Sequence, residues 1–427
     1  MRLRVIRGKN ILLVGDLKAK VLSGNVDVFG KRYQQGDVIE VKKLISVPLV
    51  ALEDSDLEIE FGEDGYIAET QFKLIPLEWT ECATEILTLS PPARVMVIAN
   101  VDAGKSGFIC YVANLAISKG KKVVVINTDT GQSEMNPPTT IGMAKVEKPI
   151  IHLSELRYMK AFFVGSTSPA GLFNRSMLGA IKMIHEALKL DPDLILINTT
   201  GWVHGSGGRE LKETKLLIID PDYVVLMEKE QGELRYLEAI LSKMEKRFRI
   251  VPAAPRLRPR SREERRNLRK QYYAKEFEGM KEIQISLDEV AVMFSYFGTG
   301  LPLDAEESMK VAQILGYIPE YMEKTLDLVI IITEKTIPQE KVDILSRELG
   351  KQVKAINPSV FENLLVGLLD RDANLLALGI IRKFDPVSRV LTIITRVNPD
   401  EIRIVALGRI KVTPQMEEVE WLEPWCL

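Results

Sequence analysis

The stretch Val95 to Phe108, VMVIANVDAGKSGF, runs from an apolar segment into a short loop that closes on Ala-Gly-Lys-Ser. A glycine followed by lysine and a hydroxyl residue is the end of a phosphate-binding loop. In such loops backbone N–H groups and a helix N-terminus cradle phosphate oxygens. Lys105 is placed to reach the β- and γ-phosphates of ATP, and Ser106 to ligate Mg²⁺. Asp102, Ala103, Gly104, Lys105, Ser106 and Gly107 are therefore the residues expected around the nucleotide. The first position of the G-x-x-x-x-G-K-[ST] pattern holds Ala99 instead of glycine. One added methyl at the end of a strand is expected to be tolerated unless φ there is positive.

Three further groups could do chemistry beside a bound phosphate. In VVVINTDTGQSEMNPPTTIG, Asp129 follows an apolar strand. A carboxylate there can hold a metal's water shell or accept a proton from an attacking hydroxyl. Gln132, on the glycine-containing turn after it, offers a donor and an acceptor to metal water or a γ-phosphate. In INTTGWVHGSGGRE a second apolar strand emerges into Thr199, Thr200, Gly201 and Trp202. A flat indole in a glycine-rich loop suits stacking on a nucleobase, worth about 1–3 kcal/mol; the alternative is an indole packed under its own loop. Between Arg256 and Lys270, RLRPRSREERRNLRK holds eight basic residues against Glu263 and Glu264. It is either a solvated helix face or a cover whose arginine forks stabilise a transferring phosphoryl group.

These residues need a scaffold that brings strand ends together. From Val95 onward, continuous apolar strands alternate with helices, which describes a parallel sheet covered on both faces. Ligands bind such sheets at the carboxyl ends of the strands, where every residue above falls. Residues 1–87 alternate apolar and polar in short pieces punctuated by glycine, as in NVDVFG and LEIEFG, and predict a sandwich-like antiparallel β domain. The fold class expected is α/β: a P-loop domain over residues 88–280 with an arginine-rich segment at 256–279, then a mixed, mainly β domain over 281–427. In the last, GIIRKFDPVSRVLTIITRV predicts a hairpin turning at Asp385 and Pro386.

Composition narrows the setting. The 427 residues are 46% hydrophobic and 27% charged, as in soluble globular chains. No apolar run approaches a membrane span, and the N-terminal MRLRVIRGKN is too polar for a signal peptide, so a cytoplasmic protein is expected. Three cysteines and three histidines lack zinc-site spacing. A guanine-specific N-K-x-D motif is missing, which argues against a GTPase switch.

Taken in order, these elements resemble the polynucleotide 5′-hydroxyl-kinase family along essentially the whole chain. The family's G-x-x-D-x-G-K-S loop corresponds to Ala99–Ser106, its Asp-x-Gly-Gln element to Asp129–Gln132, its Thr-x-Gly-Trp clasp to Thr199–Trp202, and its arginine-rich lid to RSREERRNLR. The resemblance implies an ATP- and Mg²⁺-dependent kinase acting on 5′-hydroxyl ends of RNA, with DNA ends as a further class, in RNA processing or repair alongside protein partners. It implies that Lys105 and Ser106 serve ATP and Mg²⁺, and that Asp129 activates the hydroxyl beside the metal. Gln132, Thr199, Gly201 and Trp202 would hold the substrate, while Arg260 and Arg265 close over the transferred phosphate. Ala99, Gly107 and Asn127 depart from the family pattern, where glycine, threonine and an acidic residue are usual. A nucleotide-bound scaffold without transfer is the alternative that these departures motivate.

Overall fold

The computed structural model describes residues 1–70, 72–255, 261–423 and 426. The chain divides into two compact units, residues 1–162 with 168–269, and 163–167 with 270–427.

The first unit opens with two antiparallel sheets. One orders Arg2–Val5, Ser55–Phe61, Leu17–Ser23 and Val38–Val41; the other orders Lys31–Tyr33, Val26–Val28, Ser46–Ala51, Asn10–Val14 and Tyr66–Glu69. Period-two alternation builds them: Leu17, Ala19 and Val21 are buried while Lys18 and Lys20 face water. A helix α1 (Leu77–Leu87) then leads into the central sheet.

That sheet has seven strands: β1 (Ala93–Ala99), β2 (Val123–Asn127), β3 (Thr140–Val146), β4 (Lys160–Phe163), β5 (Leu194–Asn198), β6 (Tyr223–Glu228) and β7 (Phe248–Pro252). Their spatial order is β4-β3-β2-β5-β1-β6-β7. β2, β5, β1, β6 and β7 run parallel, but β3 pairs antiparallel with β2, so the expected parallel sheet is mixed toward one edge. An antiparallel strand on an otherwise parallel sheet is common. The intervening helices are α2 (Lys105–Ser118), α3 (Phe173–Leu188), α4 (Gly205–Ile219) and α5 (Arg235–Lys243), and α6 (Arg262–Glu276) follows β7.

Val95, Val97, Val123 and Val125 point toward α1 and α2, in one core with the inner faces of the N-terminal sheets. Alternation sends Met96, Ile98, Val124 and Ile126 to the opposite face, where α3 packs. Polar groups lock this core as well. Asn114 of α2, 1% exposed, donates Nδ2 to the carbonyls of Phe29 (2.8 Å) and Ile150 (2.7 Å), and its Oδ1 accepts from the N–H of Ile150 (2.8 Å).

The second unit centres on a sheet ordering Lys281–Ser286, Val390–Thr395, Leu375–Asp385, Leu364–Leu369, Ile404–Val412 and Ala291–Met293, with Glu418–Trp421 paired to Ile404–Val412. The hairpin expected at Asp385 and Pro386 joins Leu375–Asp385 to Val390–Thr395. A smaller four-stranded sheet carries helices Ala305–Leu315 and Gln339–Leu349. Among the described residues no helix is long and apolar enough to cross a membrane.

Because Asn114 satisfies three buried backbone groups, Asn114→Ala should lower the unfolding free energy by on the order of 3 kcal/mol, as each orphaned group costs about 1–3 kcal/mol. Urea unfolding of the two proteins checks this; a loss below 1 kcal/mol would mean that the segments hold one another without it.

Candidate functional site

The phosphate loop leaves β1 at Ala99 and enters α2 at Lys105. Gly104 caps that helix with φ 102°, and a Cβ there would stand 2.6 Å from the Cβ of Ala254. Only glycine meets both constraints. Asp102 also takes a positive φ, 56°, which aspartate tolerates better than most residues. Lys105 donates Nζ to the carbonyls of Ala99 (3.2 Å) and Asn100 (2.9 Å), so its ammonium lies across the mouth of its own loop.

The next strand end carries Asp129, 8% exposed. Its Oδ1 accepts from the N–H groups of Gly131 (3.0 Å) and Gln132 (3.1 Å), which fixes the turn and leaves Oδ2 to the cleft that the residue lines. β5 ends at Asn198, and Gly201 beyond it passes so close to the phosphate loop that a Cβ would meet the N and Cα of Val101 at 2.6 Å. These three strand ends open on one cleft. Residues 102–107, Asp129, Gln132, Asn198 and Gly201 line its polar part; Leu12, Phe29, Ile45 and Pro48 of the N-terminal sheets line an apolar part. The mixture of polar and apolar walls suits a nucleotide.

Not every expected residue reaches this cleft. Thr199 is fully buried and spends its hydroxyl on the carbonyl of Val97 (2.8 Å), so it staples β5 to β1 and does not face the cleft. Trp202 is half-buried outside the cleft lining, over Gly207 and Gly208 and 6.0 Å from the ring of Phe173. Arg265, in the first turns of α6, reaches back to the loop through an Nη2 bond of 2.7 Å to Oδ2 of Asp102. Its Nε is buried without an acceptor among the described residues. Arg260 lies outside the described residues.

Five contributors were not legible in advance. Asn198 presents a buried Oδ1 that no donor meets among the described residues, at the cleft wall. Glu134 and His152 also line the cleft, with Nε2 of His152 3.2 Å from the Glu134 carboxylate. On α4, Lys212 and Lys215 are fully buried. Lys212 donates to the carbonyl of Thr200, and Lys215 to Oγ1 (2.9 Å) and the carbonyl (3.3 Å) of Thr128. Burial pushes the Lys215 ammonium down to about 8, against the pull of Asp129. Burial, with repulsion from Lys215 and Lys105, holds Lys212 well below the ordinary lysine range.

Known proteins resemble this chain in sequence and in fold. Residues 99–279 match the family model described as the P-loop of the mRNA cleavage and polyadenylation factor CLP1. The chain is 31% identical over 353 residues to a polyribonucleotide 5′-hydroxyl-kinase of Pyrococcus furiosus, covering 82% of this chain and 96% of that relative. A polyribonucleotide 5′-hydroxyl-kinase of Methanocaldococcus jannaschii is 28% identical, with 82% and 95% covered. This chain belongs to the polyribonucleotide 5′-hydroxyl-kinase family. Its fold is that of a chain in a solved wild-type Clp1p–Pcf11p complex, at a TM-score of 0.61 and 12% identity, covering 96% of this chain and 97% of that one.

The three departures from the kinase-family pattern each have a local reason. Ala99 is the last residue of β1, extended opposite Met227, with its methyl buried, so the position needs nothing that glycine alone supplies. At Gly107 a Cβ would stand 2.8 Å from the tip of the Phe29 ring, so a larger residue requires that ring to shift. Asn127 is fully buried behind the cleft. Its Oδ1 accepts from the N–H of Asp129 (3.2 Å) and Nδ2 of Asn198 (3.0 Å), while its Nδ2 donates to Oγ of Ser133 (2.9 Å) and Oδ1 of Asn136 (3.2 Å). An aspartate could accept both bonds but donate neither.

Asn127→Asp should therefore destabilise the fold by about 1–3 kcal/mol, seen as a lowered thermal midpoint with nucleotide affinity retained in the folded fraction; an unchanged midpoint would refute the donor role. Lys215 sets a pH dependence. Below about pH 8 folded and unfolded chains both hold its proton; between about 8 and the ordinary value of 10.5 only the unfolded chain does. Stability contributed by this group therefore rises with pH across that window. Denaturant titrations at pH 7 and pH 10 should show the wild type gaining stability relative to Lys215→Met as pH rises, and equal differences at both pH values would contradict the assignment.

Proposed function

We propose that this chain is an ATP-dependent polynucleotide kinase that transfers the γ-phosphate of ATP to the 5′-hydroxyl end of RNA, with DNA ends as a second substrate class. The observation that carries the reading is the convergence of Lys105, Ser106, Asp129 and Gln132 on one cleft, in a chain that belongs to a family of such kinases. A scaffold without transfer has no need to keep Asp129 in the cleft with Oδ2 uncommitted.

ATP would lie with its phosphates on residues 102–107 and its base toward Leu12, Phe29, Ile45 and Pro48. The oxygens of Ser106 and Asp129 suit Mg²⁺, a hard cation, and the unmet Oδ1 of Asn198 suits a water of its shell. The metal, when bound, neutralises phosphate charge. In the transfer the substrate's 5′ oxygen attacks the γ-phosphorus in line, its proton passes to Asp129, and the bond to the β-phosphate oxygen breaks to release ADP. Lys105 follows charge onto the β- and γ-phosphates, and the unmet Nε of Arg265, together with Arg260, serves the moving phosphoryl group. Trp202 stands outside the nucleotide cleft on the loop whose Gly201 lines it, a place suited to the terminal nucleotide of the second substrate. A cytoplasmic location and a protein partner in RNA processing complete the reading; the Clp1p of the solved complex is itself bound to Pcf11p.

The test is transfer of γ-labelled phosphate from ATP to 5′-hydroxyl oligonucleotides. Label should appear on the 5′ end with the wild-type protein and vanish with Lys105→Ala, and Asp129→Ala should lower the rate by about 10²–10⁴. ATP bound without any end labelling would favour the scaffold.

A further inference from the structure

The two lysines buried in α4 have no place in the chemistry above. They sit one helical turn apart, at positions 212 and 215, and so share a face of α4 with the buried Leu211, Leu216 and Ile219. Neither makes an ion pair within 4.0 Å among the described residues, and both are 0% exposed. A buried ammonium with only neutral acceptors is expensive. Methionine would fill the same volume without that cost, so packing alone does not account for lysine here.

What the ammoniums hold is specific. Lys215 binds the carbonyl and hydroxyl of Thr128, the residue before Asp129. Lys212 binds the carbonyl of Thr200, the residue before Gly201 and Trp202. Thr128 is itself fixed to the end of β5, through its N–H (2.9 Å) and Oγ1 (2.8 Å) to the carbonyl of Asn198. One rigid helix face therefore grips, from behind, both loops that carry the reactive groups. These loops belong to different strands, β2 and β5, and the lysines reach each at the residue where it turns into the site.

We propose that Lys212 and Lys215 are positioning residues for phosphoryl transfer, which set the distance between the Asp129 loop and the Gly201–Trp202 loop from behind the cleft. The inference rests on the kinase reading for its consequence in rate, but not for its consequence in structure. Loss of either ammonium loosens its loop by a small displacement. Ground-state binding of ATP to the phosphate loop is left intact, while the aligned transition state is reached less often.

The experiment compares the wild type with Lys212→Met, Lys215→Met and Thr128→Val, using kinetics with ATP and a 5′-hydroxyl RNA together with amide hydrogen exchange. The expected result is a fall in kcat of at least tenfold in both Met variants, with KM for ATP within threefold of wild type. Exchange at residues 128–132 should rise at least tenfold in Lys215→Met, and at 200–203 in Lys212→Met, with α2 unchanged. The Lys215→Met and Thr128→Val losses in rate should be non-additive when combined, because both remove the bond from Lys215 Nζ to Thr128 Oγ1. Wild-type kcat and wild-type exchange in the Met variants would overturn the proposal. So would Met variants that fail to fold while Thr128→Val keeps full activity, since the lysines would then be structural. A wild type that labels no 5′ end would sink the kinase reading instead; the loop exchange would still decide whether the lysines hold the loops.

Discussion

The site depends on three parallel strands ending at the same level. β5 lies between β1 and β2, with Asn198 opposite Val97 on one side and Asn127 on the other. The loops that carry Lys105, Asp129 and Gly201 all leave the sheet from those strands. Side chains then bind the ends together: Thr199 to the carbonyl of Val97, Thr128 to that of Asn198, and Asn198 Nδ2 to Asn127 Oδ1. A slip of one residue would part these groups from their partners, because each bond needs its two strand ends at one level. These strands are apolar on both faces, so the polar bonds at their ends mark the register on which the site depends.

Below the cleft lies a polar layer that is buried yet mostly satisfied. Asn127, Ser133, Asn136 and Thr140 exchange side-chain hydrogen bonds, and Asn136 also donates to the carbonyl of Thr140 (2.9 Å). That network lets a segment with two prolines run through the interior without stranding its backbone. A buried network of paired groups rigidifies the segment that follows Asp129.

How much of this could be read in advance follows from which forces carry it. The phosphate loop, Asp129 and the α/β alternation were legible because they rest on local pattern: glycine and lysine spacing, and unbroken apolar runs. β3 was not, because Thr140, Gly142 and Lys145 interrupt its apolar residues, and its pairing with β2 is a non-local choice. Lys212 and Lys215 were invisible because charge at helical spacing ordinarily means a solvated face; only the tertiary fold puts that face behind the site. Thr199 matched a motif that implied substrate contact, while its hydroxyl is taken by a neighbouring strand. Trp202 could be read either as a stacking platform or as packed under its loop, and its half-buried ring lies over Gly207 and Gly208.

The cations of the site divide into two kinds. Lys105 lies in the cleft wall, bound to neutral carbonyls of its own loop, and Arg265 reaches the loop through Asp102. A phosphate oxygen, carrying charge, forms a stronger bond to an ammonium than a carbonyl does, so Lys105 can exchange partners at little cost. Lys212 and Lys215 have no such freedom, because each is sealed from water and faces only the backbone and hydroxyl groups that it holds. A cation that can exchange partners thus lies at the cleft, on Lys105, whereas the lysines that hold the loops are buried in a helix. Separating the two lets partners exchange in the cleft without disturbing the geometry on which in-line transfer depends.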